Sequence, residues 1–533
     1  MNYKLKLFYI LFLIINLFAE SCNIGKGLAN QNFISYLVRL RDGNEAIGNN
    51  PAPPNPATSL NVVGITPINN SINYTIGTPI TILFNKPIDL SSLTIIGTNG
   101  PCGSNVQIST DNFATCLGGT VTLSPDSLAA NITLTIPLCV ETTYTIQVKV
   151  TSAVKDTTGI TLASTYTSST SFQTQPAFVK VGVSGGTNTV SALAYSCNFL
   201  FVGGNFTTLG ASSRNNLGVI DLVTGNESSV NMGTNGAVTA LLAYNGLIYI
   251  GGSFTNAGGQ PRNNGAAIDP RTGAATPWNP NASGQINAIV QNGTTAYVGG
   301  AFTTIGGQAR NRIAEIDLNT GNATAWNPNA NTATINAIAY DATNVYLGGS
   351  FTSITIGGQT FTHLAAVDRT TGNGLAGWCG TATTFPVNAL LLTGGVLFVG
   401  GAFGGNLCNL VIYNFGGLVP STAANGGYPM GGGTGAGNAV KAFSVYGNNL
   451  YVGGIFSGAG SFFSNVRNYL GSTSLSGVIN SWDPNAAGGS NGVTAMVVIG
   501  SGIVVAGDFT TINGGTAKNR LAFVDTNTGA LRP

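Results

Sequence analysis

The sequence predicts an all-β protein, a β-sandwich followed by a seven-bladed β-propeller. Three observations carry that prediction. A Gly-Gly-x-Phe unit or a close variant recurs seven times, ending at Phe206, Phe254, Phe302, Phe351, Phe403, Phe456 and Phe509, at spacings of 48, 48, 49, 52, 53 and 53 residues. A period of that size marks a propeller or a solenoid. Each copy holds four short strand-like runs, whereas a solenoid needs shorter coils and parallel pairing. Upstream, residues 60–176 alternate apolar and polar side chains in short runs separated by turn residues, with no helical period of useful length.

The 533-residue chain is only 7% charged and holds 75 glycines. Typical soluble proteins are about 25% charged and about 7% glycine. The remaining polarity is mostly Asn, Thr and Ser, so neutral hydrogen-bonding groups wet the surface. A net charge of +2, with no basic run, leaves no electrostatic footprint for nucleic acid, and no such partner is expected.

Residues 1–21 read as a signal peptide. Two lysines in "MNYKLK" precede the uncharged run "LFYILFLIINLFA" (7–19). That run is too short to span a bilayer comfortably and right for an export signal. It leads straight to Cys22. Ala19-Glu20-Ser21-Cys22 resembles the lipobox of bacterial lipoproteins in the relaxed form of spirochaete lipoproteins, since Ala19 and Glu20 stand where Leu and a small residue are usual. The resemblance implies lipidation at Cys22 and an exported protein anchored in a membrane by lipid, at the bacterial outer membrane or cell surface. Residues 22–59 follow as a tether, with the proline-rich "NPAPPNPATS" (50–59) extended and semi-rigid.

Residues 60–176 form the sandwich. "PITILFNKPID" (79–89), "NITLTIPL" (131–138) and "TYTIQVKV" (143–150) alternate as half-buried strands do. Together with "VVGITPINNS" and the closing "TSFQTQ", these stretches resemble the bacterial Ig-like domain family of S-layer and surface proteins. The resemblance implies a spacer or adhesion module, with Asp156 of "VKDTTG" a turn residue.

Seven cysteines are present. With Cys22 lipidated, six remain, enough for three disulfides. Cys102 and Cys116 are close in sequence and are expected to pair. Cys379 and Cys408 fall on one face of adjacent blades and form a second candidate pair. Cys139 and Cys197 are left for a bond between domains. None sits in C-x-x-C spacing or beside a His cluster, so zinc is not expected.

Residues 177–533 form the propeller. Copy three is the model: "INAIVQ" reads as a first strand, "TAYVGGAFT" as a second with glycines where backbones crowd, "NRIAEID" as a third and "NATAWNP" as a fourth. Between the last two lies the turn "DLNTG", where Asp bonds its own backbone and Gly takes positive φ. Trp278, Trp326, Trp378 and Trp482 share one repeat position and read as wedges between blades. The segment "AFVKVGV" (177–183) is a candidate outer strand for the last blade. The "VGGxFT…G…RNxLA" units resemble bacterial propellers of the Delta-60 repeat family, which implies a surface or secreted protein and no particular reaction.

Chemistry is sparse. His363 is the only histidine, and no G-x-S-x-G, H-E-x-x-H or P-loop is present. Asp221, Asp269, Asp317, Asp368 and Asp525 all occupy the repeat turn. Calcium is not expected there, because too few ligands converge. No metal and no cofactor are expected. The binding candidates are Arg214, Arg262, Arg310 and Arg467 of the repeated Arg-Asn pair, with Lys518 as a variant, and Phe463 in the loop "SFFSN". Each Arg either rings one face to hold an acidic partner or locks its own blade through loop carbonyls. The function expected is non-catalytic binding or scaffolding of a protein or glycan through propeller loops. The alternative is a glycan-active enzyme with an acid cluster in the central cleft.

Overall fold

A computed structural model describes residues 59–66, 71–75, 79–110, 113–134, 143–175, 182–184, 189–222, 224–330, 334–376, 386–401, 410–414, 439–457, 466–476 and 478–532. The run Ile80–Phe84 shows why its segment becomes a strand: Ile80, Ile82 and Phe84 are buried while Thr81 and Leu83 are half-exposed. It sits in a four-stranded sheet ordered Val62–Thr66, Ile80–Phe84, Ala129–Leu134, Gly119–Leu123. A second sheet runs Ser71–Thr75, Tyr166–Gln175, Thr143–Val150, Val106–Ser109. The two share one core, in which Ile82, Phe84 and Ile132 pack with Ile108, Ile146 and Val148. Asp156 caps its turn. Its Oδ1 accepts from Thr158 N and Ile160 N, both at 2.9 Å, and Lys86 lies 3.5 Å from Oδ2.

Cys102 and Cys116 are disulfide-bonded, with Cα atoms 5.1 Å apart. Closing a loop of that length contributes about 3 kcal/mol in the chain-entropy model. Cys197 is also disulfide-bonded. Cys22, Cys139, Cys379 and Cys408 lie outside the described residues.

From residue 189 onward the described residues form seven three-stranded antiparallel sheets. In blade 3 the order is Ile286–Asn292, Thr295–Gly300, Ile313–Asp317. The inner strands are Thr189–Ser196, Val238–Tyr244, Ile286–Asn292, Ile335–Tyr340, Val387–Thr393, Ala439–Tyr446 and Val493–Ile499. Each contacts the next, and the seventh contacts the first, so the ring is closed. The middle strands are buried on both sides.

The Gly-Gly pair has two separate reasons. A Cβ on Gly299 would lie 2.7 Å from Ile335 Cγ2 of the next blade, and one on Gly300 would lie 2.1 Å from the carbonyl oxygen of Gln285. The first glycine lets blades close on each other. The second lets the backbone pass over the start of its own inner strand.

Two expectations need correction. The fourth strand is reduced to an edge in the six copies where it falls among the described residues. In blade 3 it makes a single bridge, Ile316 to Ala323, and two hydrogen bonds, Asp317 N to Asn322 O and Thr324 N to Glu315 O. Beyond Thr324 the chain leaves the sheet, because Trp326 turns into the next blade and the following Asn-Pro cannot extend the ladder. The loops between second and third strands have structure of their own. They carry small hairpins such as Thr304–Ile305 with Gln308–Ala309.

The second correction concerns the last blade. Its outer edge comes from its own C-terminal segment, through the bridge Val524 to Leu531 and the bond from Arg532 N to Phe523 O. Of 177–183 only 182 and 183 are described. Val183 pairs with Leu209 of the blade 1 hairpin and donates its N–H to Asn519 O of blade 7 at 3.2 Å. It therefore acts as the connector between blades 7 and 1.

Candidate functional site

The inter-blade connectors and the loops after the second strands share one face. Ala282 N donates to Asn263 O, Thr234 bridges Ala257, and Ala487 bridges Thr511. On this face the repeated arginines turn inward. Arg310 donates from Nη1 to Ala309 O at 2.9 Å and from Nη2 to Thr324 O at 2.7 Å. Arg262 makes the same pair to Pro261 O and Thr276 O, and Arg214 to Ser213 O and Ser228 O. Arg467 reaches Val466 O and Asn480 O and lies 3.4 Å from Asp483. Each guanidinium ties the loop to the outer edge of its own blade. Lys518 keeps only the backbone part, with its N–H donating to Thr510 O.

The residue after each Arg-Asn pair takes positive φ, Asn216, Asn264, Arg312 and Tyr469, as do His363 after Phe361-Thr362 in blade 4 and Arg520 after Lys518-Asn519 in blade 7. Asn216 and Asn264 use this geometry to donate to connector carbonyls, Thr234 O at 3.0 Å and Ala282 O at 2.8 Å. His363 holds that place in blade 4. It is buried and stacks on Phe351, as a core residue does.

The acids stay in their turns. Asp317 Oδ1 accepts from Asn319 N, Thr320 N and Thr320 Oγ1, and Asp368 and Asp525 repeat the pattern. The Thr320 amide, followed by Asn319 and the Thr320 hydroxyl, holds the Asp317 carboxyl below its usual range. The tryptophans bridge blades. Trp278 Nε1 donates to Asp317 O at 3.0 Å, Trp326 Nε1 to Asp368 O at 3.3 Å and Trp482 Nε1 to Asp525 O at 2.8 Å. Phe463 and Trp378 lie outside the described residues. Among the described residues no three His, Cys, Asp or Glu side chains cluster as metal ligands would.

Asn263 pairs with Asn281 and Asn311 with Asn329 at the exposed surface, at 2.8 and 2.6 Å, and Asn468 pairs with Asn485 at 2.8 Å in a part-buried position. They place neutral donors and acceptors on the loop face of blades 2, 3 and 6.

A second cluster stands at the axis. Every inner strand has a register shift near its start. The bulged residues are Ser191, Thr239, Asn287, Asn336, Asn388, Lys441 and Thr494, a polar ring with one cation. Lys441 Nζ donates to Asn491 Oδ1 at 3.3 Å. Asn491 donates in turn through N and Nδ2 to Asp508 Oδ2, at 2.8 and 3.2 Å. Asp508 is buried where other copies of Gly-Gly-x-Phe carry Asn, Ser, Ala or Ile. Sequence reading by repeat consensus passes over both residues. The signal was present as two departures from the repeat, one in blade 6 and one in blade 7, and only the ring shows that they meet.

Residues 56–174 match the family model of the bacterial Ig-like domain. Comparison with curated protein sequences gives no match. Among solved structures, the crystal structure of the computationally designed Ika8 protein is similar at 15% identity, covering 64% of this chain and 98% of its own, with a TM-score of 0.39. The crystal structure of the WD40 β-propeller domain of Doa1 is similar at 9% identity, covering 65% of this chain and 96% of its own, with a TM-score of 0.38.

Proposed function

We propose that this is an exported, lipid-anchored bacterial surface protein that binds a protein or glycan through the loop face of its propeller, without turnover. The carrying observation is the direction of the repeat's side chains. Arginines and aspartates are tied within their blades, while the neutral Asn pairs of blades 2 and 3 lie at the exposed surface. A rigid ring presenting variable loops lets a partner site change without disturbing the core. Exposed amides suit hydroxyl-rich or peptide ligands, since each offers both a donor and an acceptor. The export and lipid parts of the reading rest on residues 7–22. Two or three acyl chains anchor stably, at about 0.8 kcal/mol per buried methylene.

The test has two arms. Cys22→Ala is expected to move the full chain from the membrane to the soluble fraction and to abolish palmitate labelling. A variant that stays with the membrane, from a wild type that takes up no label, overturns the anchor. Replacing residues 459–465, which include Phe463, with a short Gly-Ser loop is expected to preserve folding and weaken capture of surface proteins or glycans. A purified chain that hydrolyses a glycan, and loses that activity in one Asp or Glu variant, overturns the non-catalytic reading.

A further inference from the structure

We propose that the axial channel of the propeller binds a small aliphatic carboxylate, held by its head group at Lys441. The channel is a cavity of about 260 Å³ lined from all seven inner strands. Its lining combines polar groups with alanines and the aliphatic or aromatic residues after them, such as Leu193, Leu241, Ile289, Leu390, Phe443 and Met496. Lys441 is the one charged side chain among the lining residues, and Asn287 and Asn388 add amides.

The ring explains why the lysine is different. Four of its six neutral members close seams. Thr239 Oγ1 donates to Ile286 O at 2.6 Å, Asn287 Nδ2 to Ile335 O at 3.1 Å, Asn336 Nδ2 to Val387 O at 3.5 Å, and Thr494 Oγ1 to Val190 O. Each bond runs from one blade to the carbonyl of the next. Lys441 departs from that pattern and reaches Asn491 instead. An ammonium carries three donors, and this one long bond engages a single proton. Asp508 does not pair with it directly. Its Oδ2 takes the Ser490 and Asn491 amides, which leaves an amide oxygen, not a carboxylate, against the ammonium.

Lys441 lines the cavity, and its single hydrogen bond to Asn491 leaves donor capacity on a half-buried cation, which an anion of matching charge can use. A monocarboxylate supplies one negative charge and an apolar tail for the aliphatic wall. Phosphate carries nearly two charges and no tail, so it fits less well. Burial pushes the Lys441 ammonium below the ordinary lysine value of 10.5, and Asp508, which also faces Tyr469, partly opposes this. A bound carboxylate favours the charged form, so binding weakens as pH rises through the lowered value. This reading concerns the axis and stands whether or not the loop face holds a partner.

The test is calorimetric titration of the purified full chain with hexanoate, with inorganic phosphate and hexylamine as controls. Lys441→Asn installs the residue type that blade 5 carries at this position, Asn388, and Lys441→Met keeps the stem if the first variant folds poorly. Wild type is expected to bind hexanoate at least tenfold more tightly than either variant, and more weakly as pH rises. Equal binding by wild type and a folded variant, including no binding by both, overturns the site. Phosphate binding as tight as hexanoate overturns the carboxylate assignment.

Discussion

Arg310 shows what a repeat residue does at the smallest scale. Its two terminal nitrogens hold Ala309 O and Thr324 O, 14 residues farther along the chain, so one side chain closes the loop onto the blade edge. Hydrogen bonds to charged groups contribute about 1.5–3 kcal/mol each when well formed, and less where solvent competes. Arg310→Ala is expected to destabilise blade 3 by about 2 kcal/mol. Arg310→Lys is expected to recover less than half, because one ammonium cannot match the planar fork. The midpoint of urea unfolding measures both. Full recovery by Lys would show that charge, not the two-carbonyl geometry, is what the blade uses. The Arg was legible in the sequence as either a ring or a lock, and only coordinates separate the two. The side chain is long enough for either, and the deciding acceptor is a backbone atom that no residue type announces. Lys441 was passed over although its departure from the repeat stood in the sequence, because reading a repeat by its consensus suppresses such departures.

At the scale of the element, the seam between blades is the unit. Tyr297 meets Trp326 at 5.0 Å between ring centroids, and Tyr451 meets Trp482 at 4.9 Å, each beside a Trp bond to the neighbouring turn. This wedge was legible, since one repeated position for so large a residue leaves few roles for it. The outer strand was misread, because alternation in "NATAW" does not say where the chain stops pairing; the tryptophan that leaves the sheet decides it. The glycines give the sharper test. Gly299→Ala would place its Cβ against the side chains of Ile335 and Ile338, which can shift, whereas Gly300→Ala would meet the Gln285 carbonyl, which cannot. Overpacking of the first kind costs about 1–3 kcal/mol. The second is expected to cost more and to lower folded yield. A melting temperature for Gly300→Ala at or above that for Gly299→Ala would contradict this account of the pair.

At the scale of the molecule, six seams have a covalent connector and one does not. Blades 1 and 2 are joined by chain that passes between their loops, with Thr234 N donating to Asn215 O at 3.0 Å and Gly258 N to Gly233 O at 3.4 Å. The seam between blades 7 and 1 repeats both bonds with residues from before the ring: Val183 N to Asn519 O at 3.2 Å and Gly210 N to Gly182 O at 2.8 Å. Val183 is buried in a cluster that joins Phe206 and Leu209 of blade 1 to Leu521 and Phe523 of blade 7. The closing seam is therefore made by a borrowed strand. A repeat array fails first where a nearest-neighbour interface is weakest, and here the ends can part without breaking the chain. Val183→Asp would bury an unpaired carboxylate there, at a cost of several kcal/mol. Hydrogen exchange is expected to show protection lost first in the inner strands Thr189–Ser196 and Val493–Ile499, while the sandwich keeps its own. Ala282→Asp, the matching change between blades 2 and 3, is expected to loosen that seam and leave the ring ends protected, since the connector there is continuous chain. If both variants expose the same strands, the closing seam is no weaker than the rest, and the borrowed strand is not what holds the ring shut.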